Sequence, residues 1–267
     1  MTGAKAEHYT FGENELAAER LRLLAEAFEP SSEVLLRELS TRAYRVAIDL
    51  GCGPGYTTEL VQRVLKPVLT IGVDRSPALL AIASRRTHAD GASLRFEERD
   101  LAQVPLSLPR ADIMYCRYLL THLSDPTRVL RGWAECLAED GVLVLEETAA
   151  MESSDPVFSR YYAHVERLQQ HYGQQTYIGA QLQALCEASG YRVSRAPERE
   201  LQLPPARMAQ LHAMNLDTWR KDPFAVATFD ASELAALGRD LASIVAGTRA
   251  STPVRHRLQQ VIAFKDA

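Results

Sequence analysis

The sequence is poor in cysteine, and its cysteines are widely spaced. The four, Cys52, Cys116, Cys136 and Cys186, lie in apolar or loop contexts and form no Cys-x-x-Cys pair. The sequence therefore lacks the Cys-x-x-Cys signature of a thiolate metal site or a redox motif. The 7 histidines also lack the spacing of metal ligands. We therefore expect no metal, and reduced, mostly buried thiols of the kind found in cytoplasmic proteins.

A basic surface and long apolar segments are also missing. The formal net charge is −4 at pH 7, and lysine and arginine form no stripe, which argues against nucleic acid as a partner. No window approaches the roughly 18 apolar residues of a membrane span. The first residues, MTGAKAEHYTFGENE, lack the apolar region of a secretory signal. We therefore expect neither nucleic acid nor a membrane among the partners.

Apolar runs of strand length alternate with helical patterns in the first half of the chain. The predicted strands are 45–50, 68–73, 94–99, 111–116 and 142–146. Strands that alternate with helices favour a parallel sheet with right-handed crossovers. The continuous apolar runs VAIDL and VLVLE are typical of strands covered on both faces. The pattern predicts an α/β fold.

The flanking regions are mostly helical. Residues 15–29 have helical periodicity, and Pro30 is predicted to end that helix before Ser31 and Ser32 cap a second, short one. The run YRVSRAPERELQL predicts one later strand, interrupted at Pro197, and HRLQQVIAFK a last strand that returns to the sheet. We divide the chain into an N-terminal helical segment (1–43), a core (44–150), a mostly helical lid with one core strand (151–256) and a terminal strand (257–267).

Three glycines stand at alternate positions where the first strand ends, in the stretch DLGCGPG from Asp49 to Gly55. A glycine-rich turn between a strand and a helix lets a ligand approach the backbone and the first N–H groups of the helix. The spacing differs from the GxGxxG of dinucleotide-binding folds. Asp49 would repel a phosphate, and Pro54 removes an N–H that a phosphate could use. The turn therefore indicates a ligand with an ammonium group.

Two further acids follow the next two strands. Asp74 lies 19 residues beyond Gly55, where a carboxylate accepts hydrogen bonds from ribose hydroxyls. Asp100 follows the third strand and could accept from an adenine amino group. The implied ligand has an adenosine, a cationic amino-acid end and no phosphate.

Together these motifs resemble those of class I S-adenosylmethionine-dependent methyltransferases of the small-molecule type. DLGCGPG is similar to the family's first motif, GVD to its second and RDL to the segment that brackets the adenine, and the stretch 120–147 resembles the part that follows. The resemblance covers about residues 44–150 and is loose elsewhere. It implies a Rossmann-like, mostly parallel seven-stranded sheet with helices on both faces, N-terminal helices and a helical lid.

The resemblance also implies S-adenosylmethionine as cofactor, S-adenosylhomocysteine as product and no metal. The glycine turn would hold the methionine end, Asp74 the ribose, and Asp100 the adenine. Asp49 would meet the ligand amine through water or only order the loop. Tyr9 or Phe11 could lie against the sulfonium. The predicted cofactor-binding residues are Tyr9, Asp49, Gly51, Gly53, Gly55, Asp74, Arg75, Asp100, Leu101, Arg117 and His122.

Acceptor contacts in this family lie outside the core. His122, after the fourth strand, and His164, in the lid, are the candidate general bases, although each could serve packing alone. Glu146 and Glu147 could be catalytic or could cap a turn. Two stripes of side chains, each on one face of a lid helix, have two interpretations. Each is either a half-buried amphipathic face or a wall that contacts the acceptor. The predicted substrate-binding residues from these stripes are Tyr161, His164, Tyr172, His212, Asn215 and Trp219.

We therefore expect methyl transfer to an oxygen or nitrogen, less readily a carbon, of a small, partly apolar acceptor resembling a secondary metabolite. One alternative acceptor is the terminus of a peptide or protein. A second alternative is a catalytically silent protein that binds S-adenosylmethionine. A nucleotide-dependent oxidoreductase is disfavoured by the GxGxG spacing. The sequence does not determine whether the protein forms a homodimer, which acceptor it methylates or which residue is the general base.

Overall fold

The computed structural model describes residues 15–87 and 93–266 and places one mixed sheet at its centre. The strands are β1 Val46–Leu50, β2 Leu69–Asp74, β3 Leu94–Glu98, β4 Ala111–Arg117, β5 Leu137–Glu152, β6 Tyr191–Arg195, β7 Glu198–Leu203 and β8 Val254–Lys265. The helices are α1 Glu15–Leu39, α2 Tyr56–Leu65, α3 Pro77–Thr87, α4 Pro126–Ala134, α5 Pro156–His171, α6 Leu182–Ala188, α7 Pro205–Trp219, α8 Pro223–Thr228 and α9 Ala231–Val245. Short 3₁₀ turns span Leu120–His122 and Ile178–Gln181.

The strand order is β3-β2-β1-β4-β5-β8-β6, with β7 also paired to β8. The first five strands are parallel, and β8 runs antiparallel to its neighbours. This arrangement confirms the predicted Rossmann-like α/β fold. Within the described ranges the sheet has eight strands rather than the expected seven. The extra strand arises because Pro197 interrupts the 191–203 run, so that β6 and β7 pair with β8 separately.

Helices cover the sheet on both faces and form a separate core beyond it. One face packs against α4 and α6, and the other packs against α1 and α2 through Leu35, Leu36, Leu60 and Val61. The helices α5, α7 and α9 bury their own cluster, which includes Phe158 and Leu237. Among the helices of the described ranges, none is long and apolar enough to cross a membrane.

The first helix differs from its prediction. It runs through Pro30 to Leu39 instead of ending at the proline. The buried stripe continues on both sides, from Phe28 at 1% exposure to Leu35 at 0%, and this burial outweighs the hydrogen bond that proline removes. Ser32 is therefore not a cap: its hydroxyl donates to the Glu146 carboxylate at 3.0 Å.

Strand β5 also differs from its prediction. It begins at Leu137, ahead of Gly141, and continues to Glu152. Its early start follows from pairing with β4, where the Ala111 N–H donates to the Cys136 carbonyl at 2.8 Å. Its late end follows from antiparallel pairing with the long β8. Helix α8, capped by Asp222, was not predicted.

Replacing Pro30 by alanine should stabilise the protein, because alanine restores a helical N–H in the middle of α1. We expect the free energy of unfolding to rise by about 1–3 kcal/mol. Pro77→Ala is the matched control, since Pro77 occupies the first position of α3, where the missing N–H has no acceptor within the helix. Urea denaturation followed by circular dichroism compares the variants. Equal stability of Pro30→Ala and the unmodified protein would contradict a helix that is continuous through residue 30.

Candidate active site

A cavity of about 260 Å³ opens at the carboxyl ends of β1 to β4, beside the point where the strand order reverses between β1 and β4. Ligands of open α/β sheets bind at such a point. The sheet contributes one wall, with Gly51, Gly53, Asp74, Arg75, Asp100, Leu101, Arg117 and His122. The helices α1, α5 and α7 contribute the other, with Arg20, Phe28, Tyr161, Tyr162, Val165, Met208, Leu211, His212 and Asn215.

The glycine turn adopts a backbone that other residues avoid. Gly51, Gly53 and Gly55 have φ of 76°, 51° and 81°, in the left-handed region that favours glycine. Gly51 and Gly53 line the cavity. Gly55 lies behind it, where an added Cβ would come within 2.9 Å of the Phe96 ring. The structure therefore places Gly55 at the start of α2 and not, as predicted, against a cofactor.

Asp49 lies beneath the turn and is 1% exposed. Its carboxylate accepts hydrogen bonds from the hydroxyls of Thr57 and Thr58 at 2.6 and 2.7 Å. Burial raises the pKa of Asp49 to about 6, and the two hydroxyls oppose that shift. Because Asp49 is not on the cavity wall, its placement fits the ordering of the loop, the second of its two predicted roles.

The carboxylates of Asp74 and Asp100 line the cavity and are oriented by the chain around them. Asp74 accepts from the N–H groups of Gly53 and Ser76, both at 2.9 Å. Asp100 accepts from the Ala102 N–H at 3.0 Å and the Gln103 amide at 2.9 Å. A carboxylate has about four acceptor sites, so each can also accept from a nucleoside in the cavity.

Arg117 is fixed on the wall by a buried network. Its guanidinium donates to the Ser32 hydroxyl at 3.0 Å, and Ser32 donates to Glu146. The Tyr115 hydroxyl also donates to Glu146, at 2.9 Å. Burial raises the pKa of Glu146, and Arg117 opposes the shift. Glu146 is therefore neither a turn cap nor a group on the cavity wall; it joins β4 and β5 to α1.

Glu147 positions the turn that carries His122. Its Oε1 accepts from the Leu120 N–H at 2.7 Å, which fixes the 3₁₀ turn at the end of β4. Thr121 and His122 then face the cavity. Glu147 is 1% exposed, and burial raises its pKa to about 8, against the opposing effect of the backbone N–H groups.

Uncharged imidazoles line the cavity among the described residues: His122, His212 and His256. Burial lowers the pKa of each to about 3. The charges of Arg20 and Arg75 contribute to the lowered pKa of His122. At neutral pH these rings can donate or accept hydrogen bonds, but they are weak bases.

A family model described as a methyltransferase domain matches residues 7–196. The chain belongs to this methyltransferase family. It is 29% identical over 136 residues to the uncharacterized methyltransferase YcgJ of Bacillus subtilis, a match that covers 51% of this chain and 52% of YcgJ. It is 32% identical over 130 residues to trans-aconitate 2-methyltransferase of Methylobacterium nodulans, covering 49% and 48%. The chain spans about half the length of these curated relatives.

Solved structures are similar over more of the chain. The crystal structure of YcgJ superposes with a TM-score of 0.55 at 21% identity, covering 89% of this chain and 99% of YcgJ. Phosphoethanolamine N-methyltransferase 2 of Haemonchus contortus, solved with phosphomonomethylethanolamine and S-adenosylhomocysteine, gives a TM-score of 0.55 at 13% identity, covering 96% and 60%. These likenesses confirm the predicted class I methyltransferase fold.

Some of the predicted acceptor residues lie outside the cavity of this member of the methyltransferase family. The His164 ring lies 3.1 Å from the Glu233 carboxylate on α9, and the Tyr172 hydroxyl donates to Asp222 at 2.9 Å. Trp219 is 1% exposed in the core of the helical region. The predictions of these three as acceptor contacts, and of His164 as a base, do not match these positions.

These predictions differ from the structure because the buried face of α5 is rotated about the helix axis relative to the predicted face. The predicted face ran from Tyr161 through His164 to Tyr172, whereas the cavity receives Tyr161, Tyr162 and Val165. The predicted Tyr161, His212 and Asn215 do line the cavity together. Tyr9 and Phe11 lie outside the described residues.

Several wall residues were missed from the sequence. His256 could have been found from the sequence, because Val254, His256 and Leu258 alternate with arginines and therefore share one face of β8. Arg20 and Phe28 could not, because their positions depend on how α1 crosses the sheet edge. Within residues 15–87 and 93–266, no group of three or more histidine, cysteine or acidic side chains could hold a metal ion.

The cavity histidines should remain neutral well below the usual histidine pKa. Their folded-state pKa is about 3, against about 6.5 in an unfolded chain. The unfolded state therefore binds more protons below pH 6.5, and the free energy of unfolding falls as the pH is lowered towards 3. NMR signals of the ring protons, assigned with His122→Phe, His212→Phe and His256→Phe variants, should not titrate between pH 8 and 5. A midpoint near 6.5 for any of the three would contradict this.

Proposed function

We propose that this chain is an S-adenosylmethionine-dependent methyltransferase that acts on an oxygen or nitrogen of a small, partly apolar acceptor. The observation that carries the proposal is one cavity with two unlike walls. The sheet wall presents the glycine turn with Asp74 and Asp100, and the helix wall presents aromatic and apolar side chains. In the same proposal, residues 44–150 hold the cofactor and residues 151–256 supply most of the acceptor wall.

The sheet wall has the groups that S-adenosylmethionine requires. Asp74 would accept from the ribose hydroxyls, and Asp100 from the adenine amino group beside Leu101. The backbone of Gly51 and Gly53 would meet the methionine end, and Arg117 would face its carboxylate. When bound, the cofactor supplies a methyl group already activated by a sulfonium.

The protein's remaining task is to align the acceptor and exclude water. The acceptor's lone pair would form the new bond to that methyl carbon as the carbon–sulfur bond breaks, with S-adenosylhomocysteine as the leaving group, and the acceptor's proton would pass to solvent once the new bond has formed. His122 lies on the sheet wall with a pKa lowered by burial to about 3. We propose that it accepts a hydrogen bond from the acceptor's O–H or N–H, since so weak a base would not remove the proton before transfer.

The curated relatives support a small acceptor. One of them is named for trans-aconitate, a small molecule. The match covers about half of each chain, so we carry over the size of the acceptor and not its identity. The neighbour solved with S-adenosylhomocysteine supports the cofactor.

Replacing Asp74 by alanine should weaken cofactor binding. The variant loses hydrogen bonds to a charged group, so we expect the binding free energy of S-adenosylmethionine to fall by about 1.5–3 kcal/mol. Isothermal titration calorimetry with S-adenosylmethionine and S-adenosylhomocysteine measures the loss. Because Asp74 also accepts from Gly53, Asp74→Asn is compared alongside.

Asp140→Ala is the matched control, since Asp140 is an exposed carboxylate near the start of β5, whereas the cavity lies at the carboxyl ends of the parallel strands. It should bind both compounds like the unmodified protein. No binding of either compound to the folded protein would rule out the proposed cofactor. Binding without any methyl transfer to an extract, followed by mass spectrometry, would instead favour a silent binding protein.

A further inference from the structure

Four side chains of α5 and α7 form a polar group on the helix wall of the cavity. Tyr161, Tyr162, His212 and Asn215 are here called the α5–α7 cluster. His212 is 4% exposed, and its Nε2 lies 3.1 Å from the Tyr162 hydroxyl. The ring of Tyr161 stacks on the imidazole, with ring centres 4.0 Å apart and planes at 18°. The imidazole is thus held in one orientation from two sides.

The cluster contains buried polar atoms that the described part of the chain does not satisfy. His212 Nδ1 has no hydrogen-bond partner there. The Tyr161 hydroxyl lies next to Asn215 and to the Trp219 indole, yet the hydroxyl, the Asn215 amide oxygen and the indole N–H make no hydrogen bond of normal geometry. Buried polar groups are normally paired, because an unpaired one has lost its hydration without compensation. A wall that served packing alone would be apolar, as Met208 and Leu211 beside it are.

The tautomer of His212 decides which partner suits the cluster. If the Tyr162 hydroxyl donates to Nε2, then Nδ1 carries the proton and needs an acceptor. If Nε2 donates to Tyr162, then Nδ1 needs a donor. A hydroxyl group satisfies either case, because it donates and accepts. In the first case its own proton remains available, and it can also donate to the Asn215 oxygen.

The charge of the α5–α7 cluster determines whether a hydroxyl or a carboxylate suits this wall. Burial, with a smaller contribution from the nearby His256, lowers the pKa of His212 to about 3, so the cluster carries no positive charge at neutral pH. A carboxylate placed against it would lose its hydration without gaining a counter-charge. Arg20 of α1 also lines the cavity, within electrostatic reach of Tyr161. An acidic acceptor would therefore depend on Arg20 and not on the cluster.

We propose that the α5–α7 cluster selects an uncharged acceptor that carries a hydroxyl group on an apolar frame. This inference rests on the proposed function and deepens it, since it names the class of acceptor. The apolar frame would lie against Val165, Met208 and Leu211, and the hydroxyl would complete the hydrogen bonds of His212. The cluster recognises the acceptor and takes no part in the transfer itself.

Three bicyclic probes of similar size test the inference: 2-naphthol, 2-naphthoate and 2-methylnaphthalene. Their dissociation constants are measured at pH 7 by ligand-observed NMR on protein saturated with S-adenosylhomocysteine. We expect 2-naphthol to bind about three- to tenfold more tightly than 2-methylnaphthalene, the effect of one neutral hydrogen bond. We expect 2-naphthoate to bind most weakly.

His212→Phe keeps the stacked ring and removes its polar atoms. The dissociation constants of 2-naphthol and 2-methylnaphthalene for this variant should therefore differ by no more than about twofold. Tyr161→Phe, which removes one oxygen, should reduce the preference in part, and it serves as the second variant if His212→Phe fails to fold. His164→Phe is the matched control, because His164 lies outside the cavity; it should keep the full preference. Affinity for S-adenosylhomocysteine should be unchanged in all three.

Each contrary result identifies what is wrong. Tightest binding of 2-naphthoate would overturn the inference in favour of an acidic acceptor held by Arg20. An unchanged preference in folded His212→Phe would remove the cluster as the recognising group, and no binding of any probe would contradict the apolar frame. Failure of the folded protein to bind S-adenosylhomocysteine would instead defeat the proposed function, and this inference with it.

Discussion

Two backbone hydrogen bonds from the glycine turn to the end of β2 fix the geometry of the whole cavity. The N–H groups of Gly51 and Cys52 both donate to the Val73 carbonyl, at 2.8 and 3.0 Å. Such close approach requires the positive φ of Gly51. It brings Asp74 under the Gly53 N–H, which orients the carboxylate towards the cavity. A side chain at Gly51 would also meet Leu119 of the opposite loop, so the width of the cavity depends on the same residue.

Buried acids hold the other loops at this edge of the sheet. Asp49 ties the turn to α2, Glu146 ties β5 to α1, and Glu147 fixes the turn before His122. A buried carboxylate is unfavourable unless hydrogen bonds satisfy it, and the raised pKa of each reflects that burial. The acids thus lie behind the wall, while the helix wall presents neutral imidazole and aromatic rings.

The sequence was sufficient for the core because each signal there is local. The turn chemistry of Asp49–Gly55 and the acids at the ends of β2 and β3 depend only on where a strand stops, and parallel strands bring those ends together. The helical region was predicted less well. Its helices are visible in the periodicity, but which face meets the cavity depends on how helices cross. That is why Tyr162 was missed and His164 was wrongly placed.

Helix α1 explains why the two walls keep a fixed separation. Its second half packs into the sheet core through Leu35 and Leu36, and its first half packs into the helical core through Leu23 and Phe28. The proline between these pairs would break a helix that had only one core to join. Because both halves are buried, α1 stays continuous and connects the wall that holds Asp74 to the wall that holds His212. Substitutions on α5 and α7 should therefore change the helix wall without disturbing the glycine turn, whereas a change that bends α1 would alter both.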